Sequence, residues 1–324
     1  MKPVLVTGAT GFLGKHLVQQ LLARGEAHVR ILCRGAAPSG SPVEAVQGDI
    51  TRADDVARAV RGAARVYHLA GFVSRDPADS QRLYQAHVDG TRNVLDAAAR
   101  ESVERVVVVS TSGTIAVSQA PVEHAEDSGY KEDVVRDWAY YMSKIAAERL
   151  CFDEWQRRRI PLVVVNPSLL LGPGDERRSS TKDLERLLEG QFLSLPVGGA
   201  SFIDARDCAA ALIAAMDRGR PGERYLLGGA NWPFARIIGE AARLAGIRAP
   251  WMSSPPWLSL LVAPLLRKVM PIAGRKFDVE DATIQMSGVF WYCNCAKAHR
   301  ELGLNPRDPV ETLAATMHEL KARA

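Results

Sequence analysis

The octapeptide TGATGFLG at residues 7–14 constrains this chain more than any other stretch. It follows a β-type run at 4–6 and opens a segment with apolar residues at Leu13, Leu17, Val18, Leu21 and Leu22, which is helical spacing. Gly8, Gly11 and Gly14 stand where the chain must turn tightly from strand into helix. Side chains are unwelcome at such a turn if its backbone amides and the helix N-terminus are to approach a pyrophosphate. A second β-type run, HVRILC at 28–33, completes strand, turn, helix, strand. A glycine triplet alone says little. Inside a βαβ unit it predicts a dinucleotide site that also involves Thr10, Phe12 and Leu13.

The alternation continues. Strands are predicted near 43–46 and at 65–69, 106–110 and 162–165, and helices at 53–60, 83–100 and 138–158. The runs VVVV at 106–109 and LVVV at 162–165 are continuously apolar, as strands covered by helices on both faces must be. The expected fold is α/β: a doubly wound parallel Rossmann sheet with a smaller α/β substrate-binding lobe at its C-terminal side. Residues 1–170, with returning segments within about 200–230, are assigned to the dinucleotide-binding domain, and 171–199 and 231–324 to the lobe. The division follows the Gly/Pro break after Asn166-Pro167, where regular alternation ends. Beyond it, helices are expected at 181–188 and 207–217 and short strands at 202–203 and 224–227, with no fixed-period repeat.

A chain of 324 residues, 47% of them hydrophobic, can bury a large core without a disulfide or metal. Its 41 basic and 37 acidic side chains are interspersed, so the pI near 8.8 comes without a basic stripe and nucleic acid is not an expected partner. Cys33, Cys151, Cys208, Cys293 and Cys295 form no CxxC pair, and no His cluster has zinc-like spacing, so no metal site is expected. With an N-terminus that lacks a signal-peptide pattern, they point to a reducing, cytoplasmic setting. Cys293 and Cys295, two apart, would share one face of a strand as small buried thiols.

Arg34 ends the second strand, where an NAD-selective site commonly carries an acid for the ribose hydroxyls. No acid stands at Cys33, Arg34 or Gly35. A guanidinium there suits a 2′-phosphate, which favours NADP(H) and leaves NAD(H) open; a surface arginine capping the strand end is the competing reading. Asp49 and Ile50 close the third strand and could meet the adenine, or form a solvent-facing turn.

Tyr140 and Lys144 lie four apart in AYYMSKIAAERL, on one face of a helix. A phenol of pKa ~10 exchanges protons poorly at neutral pH, but a nearby ammonium and an oxidised nicotinamide would stabilise the phenolate. Tyr141, three before Lys144, is the competing phenol. Ser110, Thr111 and Ser112 cluster at the carboxyl end of a strand. One of these hydroxyls must point inward to hold a substrate oxygen, and the others cap the following turn.

The segment 249–266, APWMSSPPWLSLLVAPLL, carries no charge. Pro250, Pro255, Pro256 and Pro264 argue against a continuous membrane span. It is either a packing segment of the lobe or an apolar wall of a lipid site making peripheral bilayer contact through 251–268, ended by Arg267 and Lys268.

These motifs together resemble the extended short-chain dehydrogenase/reductase family. The likeness runs through TGATGFLG, GDI at 48–50, HLAG at 68–71, HVDGTRNVLDAA at 87–98, the serine cluster and YYMSK. It continues through NPSLLLGPGD at 166–175, FIDARDCAAA at 202–211 and CAKAHRELGLNPRDPVETL at 295–313. The dihydroflavonol reductase and 3β-hydroxysteroid dehydrogenase group, with its bacterial sterol C4-demethylation members, is most similar. The resemblance implies Ser112 as the family's serine, Tyr140 as general acid/base and Lys144 as its lysine. It also implies Leu69 and Ala70 beside the cofactor's ribose and diphosphate, and Pro167 and Ser168 beside the nicotinamide. Two positions depart from the pattern: His87 replaces the asparagine of the NVxGT helix motif, and Asn166 replaces the arginine usual before the proline.

The expected activity is NADP(H)-dependent interconversion of a secondary alcohol and a ketone on a bulky apolar, sterol-like substrate, suggested by Trp251, Trp257 and the aromatic run 290–292. The alternative is a nucleotide-sugar epimerase or dehydratase that retains NAD, for which Arg177, Arg178 and Arg206 would meet a diphosphate. The intact serine, tyrosine and lysine argue against a cofactor-sensing regulator. A homodimer through helices of the sheet domain is compatible with the pattern but not demanded by it.

Overall fold

Every second residue of the central strands faces the same core, and both faces of the sheet are covered. The computed structural model describes residues 2–35, 42–274 and 277–323. Its strands are β1 Val4–Thr7, β2 Val29–Cys33, β3 Glu44–Gln47, β4 Arg65–His68, β5 Arg105–Val109, β6 Glu123–His124, β7 Leu162–Pro167, β8 Leu169–Leu171, β9 Gly199–Asp204, β10 Arg224–Leu227, β11 Ala230–Pro233 and β12 Phe290–Cys293. Val4, Val6, Val107, Val163 and Val165 enter one core; Leu5, Val106, Val108, Leu162 and Val164 enter the other. Each such side chain contributes about 1.5–3 kcal/mol by leaving water, which is why these strands read as unbroken apolar runs.

The large sheet has seven parallel strands in the order β10-β7-β5-β4-β1-β2-β3. Helices Phe12–Ala23 and Ala205–Arg218 pack together on one face. Helices Ala53–Val60, Gly90–Arg100 and Ala139–Arg158 cover the other. Strand order reverses between β1 and β4, so the crevice at their carboxyl ends is where a ligand can enter between diverging loops.

A smaller mixed sheet, β11-β9-β12-β6 with β8 paired to β9, packs against helices Phe234–Ala245 and Pro309–Arg323. Of the segment 200–230, β9 belongs to this sheet, whereas helix Ala205–Arg218 and β10 return to the large one.

Three local expectations are revised. The helix at 83–100 is interrupted: Ser80–Tyr84 is α-helical, Gln85–Asp89 forms a π-helical turn, and Gly90–Arg100 resumes the α-helix. Cys293 ends β12 and Cys295 caps the next helix, so the two buried thiols do not share a strand. The segment 249–266 divides at Pro255, after which Pro256–Val269 is helical. Pro256 sits in the first turn, where its missing N–H has no intrahelical partner to lose, and Pro264 lies inside. Trp251 is 88% exposed and Leu261 72%, whereas Ala263 is buried and 252–254 hydrogen-bond to Leu195 and Ser194 of the lobe, so the segment packs on one side and faces solvent on the other. No helix of the described residues is long and apolar enough to cross a membrane.

Candidate active site

β1 hands the chain to helix Phe12–Ala23 through a turn that glycine alone fits. Gly8 has φ +73°, and a Cβ there would lie 2.7 Å from the Leu69 carbonyl carbon. A Cβ on Gly14 would lie 2.2 Å from the Gly8 oxygen. Gly11 caps the helix without a side-chain hydrogen bond, and the first turn holds no acid. The leading amides, at Phe12, Leu13 and Gly14, therefore stay open to an anion at the positive end of the helix. Thr7 Oγ1 accepts from the Ala70 amide at 3.2 Å and meets His68 Nδ1 at 2.8 Å, which brings Leu69 and Ala70 beside the turn. Arg177 reaches Thr10 Oγ1 at 3.3 Å.

At the far end of the crevice Arg34 is exposed, with no partner for its guanidinium among the described residues; residues 36–41 lie outside them. Asp49 turns one carboxylate oxygen onto the Thr51 amide and hydroxyl, at 2.9 and 2.8 Å. Ile50 packs beneath Gly90, where a Cβ would lie 2.8 Å from its Cδ1. Pro167 ends β7, and the Ser168 amide donates to the Leu227 carbonyl at 2.9 Å while its hydroxyl is buried without a partner. Open amides at the glycine turn and an orphaned hydroxyl at the ends of the central strands fit a nicotinamide dinucleotide.

Helix Ala139–Arg158 carries Tyr140, Tyr141 and Lys144, and the two phenol rings part company. Tyr141 stacks on Trp291 at 4.9 Å and fills the space at Gly113, where a Cβ would lie 2.2 Å from its Cε1. Tyr140 instead meets His87 edge-on at 5.6 Å. Lys144 Nζ donates to the Val109 carbonyl at 3.0 Å, at the end of β5.

The hydroxyl cluster separates likewise. Ser110 Oγ donates to Glu148 at 2.5 Å. Thr111, with extended backbone (φ −150°, ψ 148°), caps the 3-10 turn Ser112–Thr114: its Oγ1 accepts from the Gly113 amide at 3.3 Å. Ser112 is buried as the first residue of that turn. Ser110 and Thr111 are thus committed to Glu148 and to the turn, and Ser112 Oγ is the hydroxyl of the three without a hydrogen bond among the described residues.

Burial, with a smaller contribution from Tyr141, pushes Tyr140 above the usual phenol range; the nearby Thr111 side chain opposes it. The expected depression by Lys144 is not what this geometry gives, because Nζ turns to Val109. Burial lowers Lys144 to about 8, and the nearby Glu148 opposes that fall. Burial, then the Lys144 charge, lowers His68 to about 3 and His87 to about 2, so both imidazoles are neutral. His87, a position the motif reading left without a role, is buried, and its Nε2 lacks a partner. A Cβ on Gly71 would lie 2.9 Å from that nitrogen and 3.8 Å from Lys144 Nζ.

A parallel Rossmann sheet with an anion-ready glycine turn, and a tyrosine and lysine one helical turn apart at its switch point, defines the NAD(P)-dependent oxidoreductases of the extended short-chain type. The chain belongs to the NAD dependent epimerase/dehydratase family, whose model matches residues 4–228. It is 34% identical over 312 residues to sterol demethylase protein B of Methylococcus capsulatus, covering 93% of each chain. It is 30% identical over 337 residues to a 3 beta-hydroxysteroid dehydrogenase/Delta 5→4-isomerase of Mycobacterium tuberculosis, covering 94% of this chain and 86% of that one. Among solved structures, gox2253 superposes with a TM-score of 0.86 at 26% identity, covering 100% of this chain and 99% of that one.

Proposed function

We propose that this chain uses NADP(H) to interconvert a secondary alcohol and a ketone on a bulky apolar, sterol-like substrate. The placement of Tyr140 carries the proposal: a half-buried phenol at the carboxyl ends of the central strands, one turn from Lys144. A bound nicotinamide supplies the hydride acceptor or donor. Tyr140 gives its proton to a ketone oxygen or, as phenolate, takes one from an alcohol, and Ser112 holds that oxygen as charge develops on it. Lys144 stabilises the phenolate when Nζ exchanges the Val109 carbonyl for the phenol and the cofactor's ribose. Its pKa of about 8 keeps it charged at neutral pH. Gly8, Gly11 and Gly14, with the amides of Phe12 and Leu13, hold the diphosphate, and the exposed Arg34 guanidinium meets a 2′-phosphate.

Two observations support the apolar substrate. Similarity to sterol- and steroid-acting enzymes is one. The other is helix Pro256–Val269, whose exposed Trp257, Leu261 and Leu265, with Trp251 and Ile272, present an apolar patch followed by Arg267 and Lys268. We assign this patch to peripheral contact with a lipid surface from which such a substrate could be drawn. The nucleotide-sugar alternative is disfavoured by its own cations: Asp204 holds Arg206, Glu185 holds Arg178, and Arg177 reaches back to Thr10.

The test is a screen of NADPH oxidation and NADP reduction against 3-keto and 3-hydroxy sterols, flavonoids and nucleotide sugars. Stoichiometric cofactor turnover with a sterol is expected. Conversion of a nucleotide sugar without net cofactor consumption would establish the alternative.

A further inference from the structure

Glu148 lies one turn beyond Lys144 on the same helix and is 1% exposed. Its Oε1 accepts from Ser110 Oγ at 2.5 Å, Thr114 Oγ1 at 2.8 Å and Asn166 Nδ2 at 2.7 Å. Asn166 Nδ2 also reaches the Thr111 carbonyl at 3.0 Å. Oε2 faces Arg224 Nη1 at 3.4 Å, and that guanidinium is held over the rings of Tyr130 and Phe152. One carboxyl group therefore joins the ends of β5 and β7 and a side chain of β10 to the helix bearing Tyr140 and Lys144. Every one of these partners donates. Burial pushes the Glu148 carboxyl up, and Arg224, Ser110, Thr114 and Asn166 oppose that rise; an acid proton on Oε2 would face a guanidinium, which accepts nothing, so the hydrogen bonds favour the ionised form.

Lys144 is faced by His68 from β4, by His87 from the π turn, and by Glu148 and Cys151 from its own helix. Both imidazoles are neutral, and burial keeps the Cys151 thiol protonated. Among these neighbours in the described residues, Glu148 is the one counter-charge.

We propose that Glu148 is a positioning residue for the reaction, an inference resting on the alcohol–ketone reading. Its carboxylate locks the 110–114 hydroxyl shelf and Asn166 against the Tyr140 helix and keeps the Lys144 amine charged. Ser112, between Ser110 and Thr114, and the Pro167-Ser168 turn are thereby held in register with the phenol. Glu148 touches no reacting atom; it acts through the 110–114 segment, Asn166 and Lys144.

Glu148→Gln preserves volume and removes the charge. We expect kcat to fall about tenfold or more, with the affinity for NADPH, read by fluorescence, within about threefold of the parent. The Lys144 side-chain nitrogen, followed by NMR and assigned by its loss in Lys144→Met, should titrate about one pH unit below the parent's. Glu148→Asp keeps the charge but withdraws it from Ser110 and Asn166. Lys144 should then titrate near its parent value while kcat still falls about tenfold. Parent-like kcat and Lys144 titration in Glu148→Gln would overturn the proposal; if that variant does not fold, parent-like kcat in Glu148→Asp overturns it. The NMR reading needs no substrate. A parent chain that turns over no alcohol or ketone, yet shows the Lys144 shift in Glu148→Gln, would strike down the redox reading and leave the Glu148–Lys144 coupling standing.

Discussion

His87 Nδ1 lies 2.9 Å from Ser143 Oγ, and the Ser143 hydroxyl donates to the Tyr140 carbonyl at 2.8 Å. A carbonyl cannot donate, so the serine proton is committed to it and Nδ1–H must be the donor to Ser143. The Nε2 lone pair is then left facing the space it shares with Lys144. This imidazole stays neutral in the fold, as does His68 between Thr7 and Thr91.

That neutrality predicts acid sensitivity. The unfolded chain protonates each histidine near 6.5, whereas the folded values are about 2 for His87 and about 3 for His68. Stability from this source is complete above the unfolded value and is lost as pH falls below it, at about 1.4 kcal/mol per pH unit for each ring. By about pH 5 the two together cost about 4 kcal/mol. Urea denaturation at about pH 7 and about pH 5 would measure it, and His87→Gln should remove about half of the difference.

The two adjacent tyrosines should behave oppositely. Tyr140→Phe is expected to lower kcat about a hundredfold or more while NADPH affinity, read by fluorescence, stays within about threefold. Tyr141→Phe keeps the ring stacked on Trp291 and should leave kcat within about threefold. Equal loss in both would discredit the assignment of Tyr140 as the proton donor.

Ser112 and Thr111 offer a sharper comparison, since Thr111 Oγ1 serves the Gly113 amide while Ser112 Oγ has no hydrogen bond among the described residues. Ser112→Ala should reduce kcat about a hundredfold, and Thr111→Val should cost less than about tenfold. The reverse ranking would give the role to Thr111.

Arg34→Asp exchanges a guanidinium for a carboxylate at the end of β2. The ratio of kcat/KM for NADPH to that for NADH should fall about tenfold to a hundredfold, the worth of a charge-assisted contact. An unchanged ratio would remove Arg34 from cofactor selection.

Replacing Trp257 and Leu261 together by glutamate should lower co-sedimentation with phospholipid vesicles about tenfold while leaving the melting temperature near the parent's, because both side chains already face solvent. A parent chain that never sediments with vesicles would defeat the lipid-surface assignment.

Much of this was legible in the residues, for definite reasons. The strands around Val107 and Val164 read directly because two-sided burial leaves no polar position in them. The glycine turn reads because Gly8 and Gly14 sit where any Cβ would strike backbone. The π turn at Gln85–Asp89 did not read: periodicity there is helical, and what widens the turn is tertiary, with His87 wedged between Ser143 and Gly71. Which hydroxyl of 110–112 stays open was not legible from spacing alone, because its direction at a strand end depends on one residue's backbone angles. Glu148 in KIAAERL looks like a surface charge, and its burial follows from three strand ends that the linear spacing cannot bring together.

The π turn also imposes a length constraint. An α-helix with one extra residue in a turn is offset by about 100° from an unbroken one. Deleting a single residue within 85–89 would heal the helix and rotate 80–84 about its axis, lifting the fully buried Leu83 from its socket while carrying the imidazole away from Lys144. Insertions and deletions here should therefore be tolerated far less than at the chain's exposed bends, however conservative the residues involved.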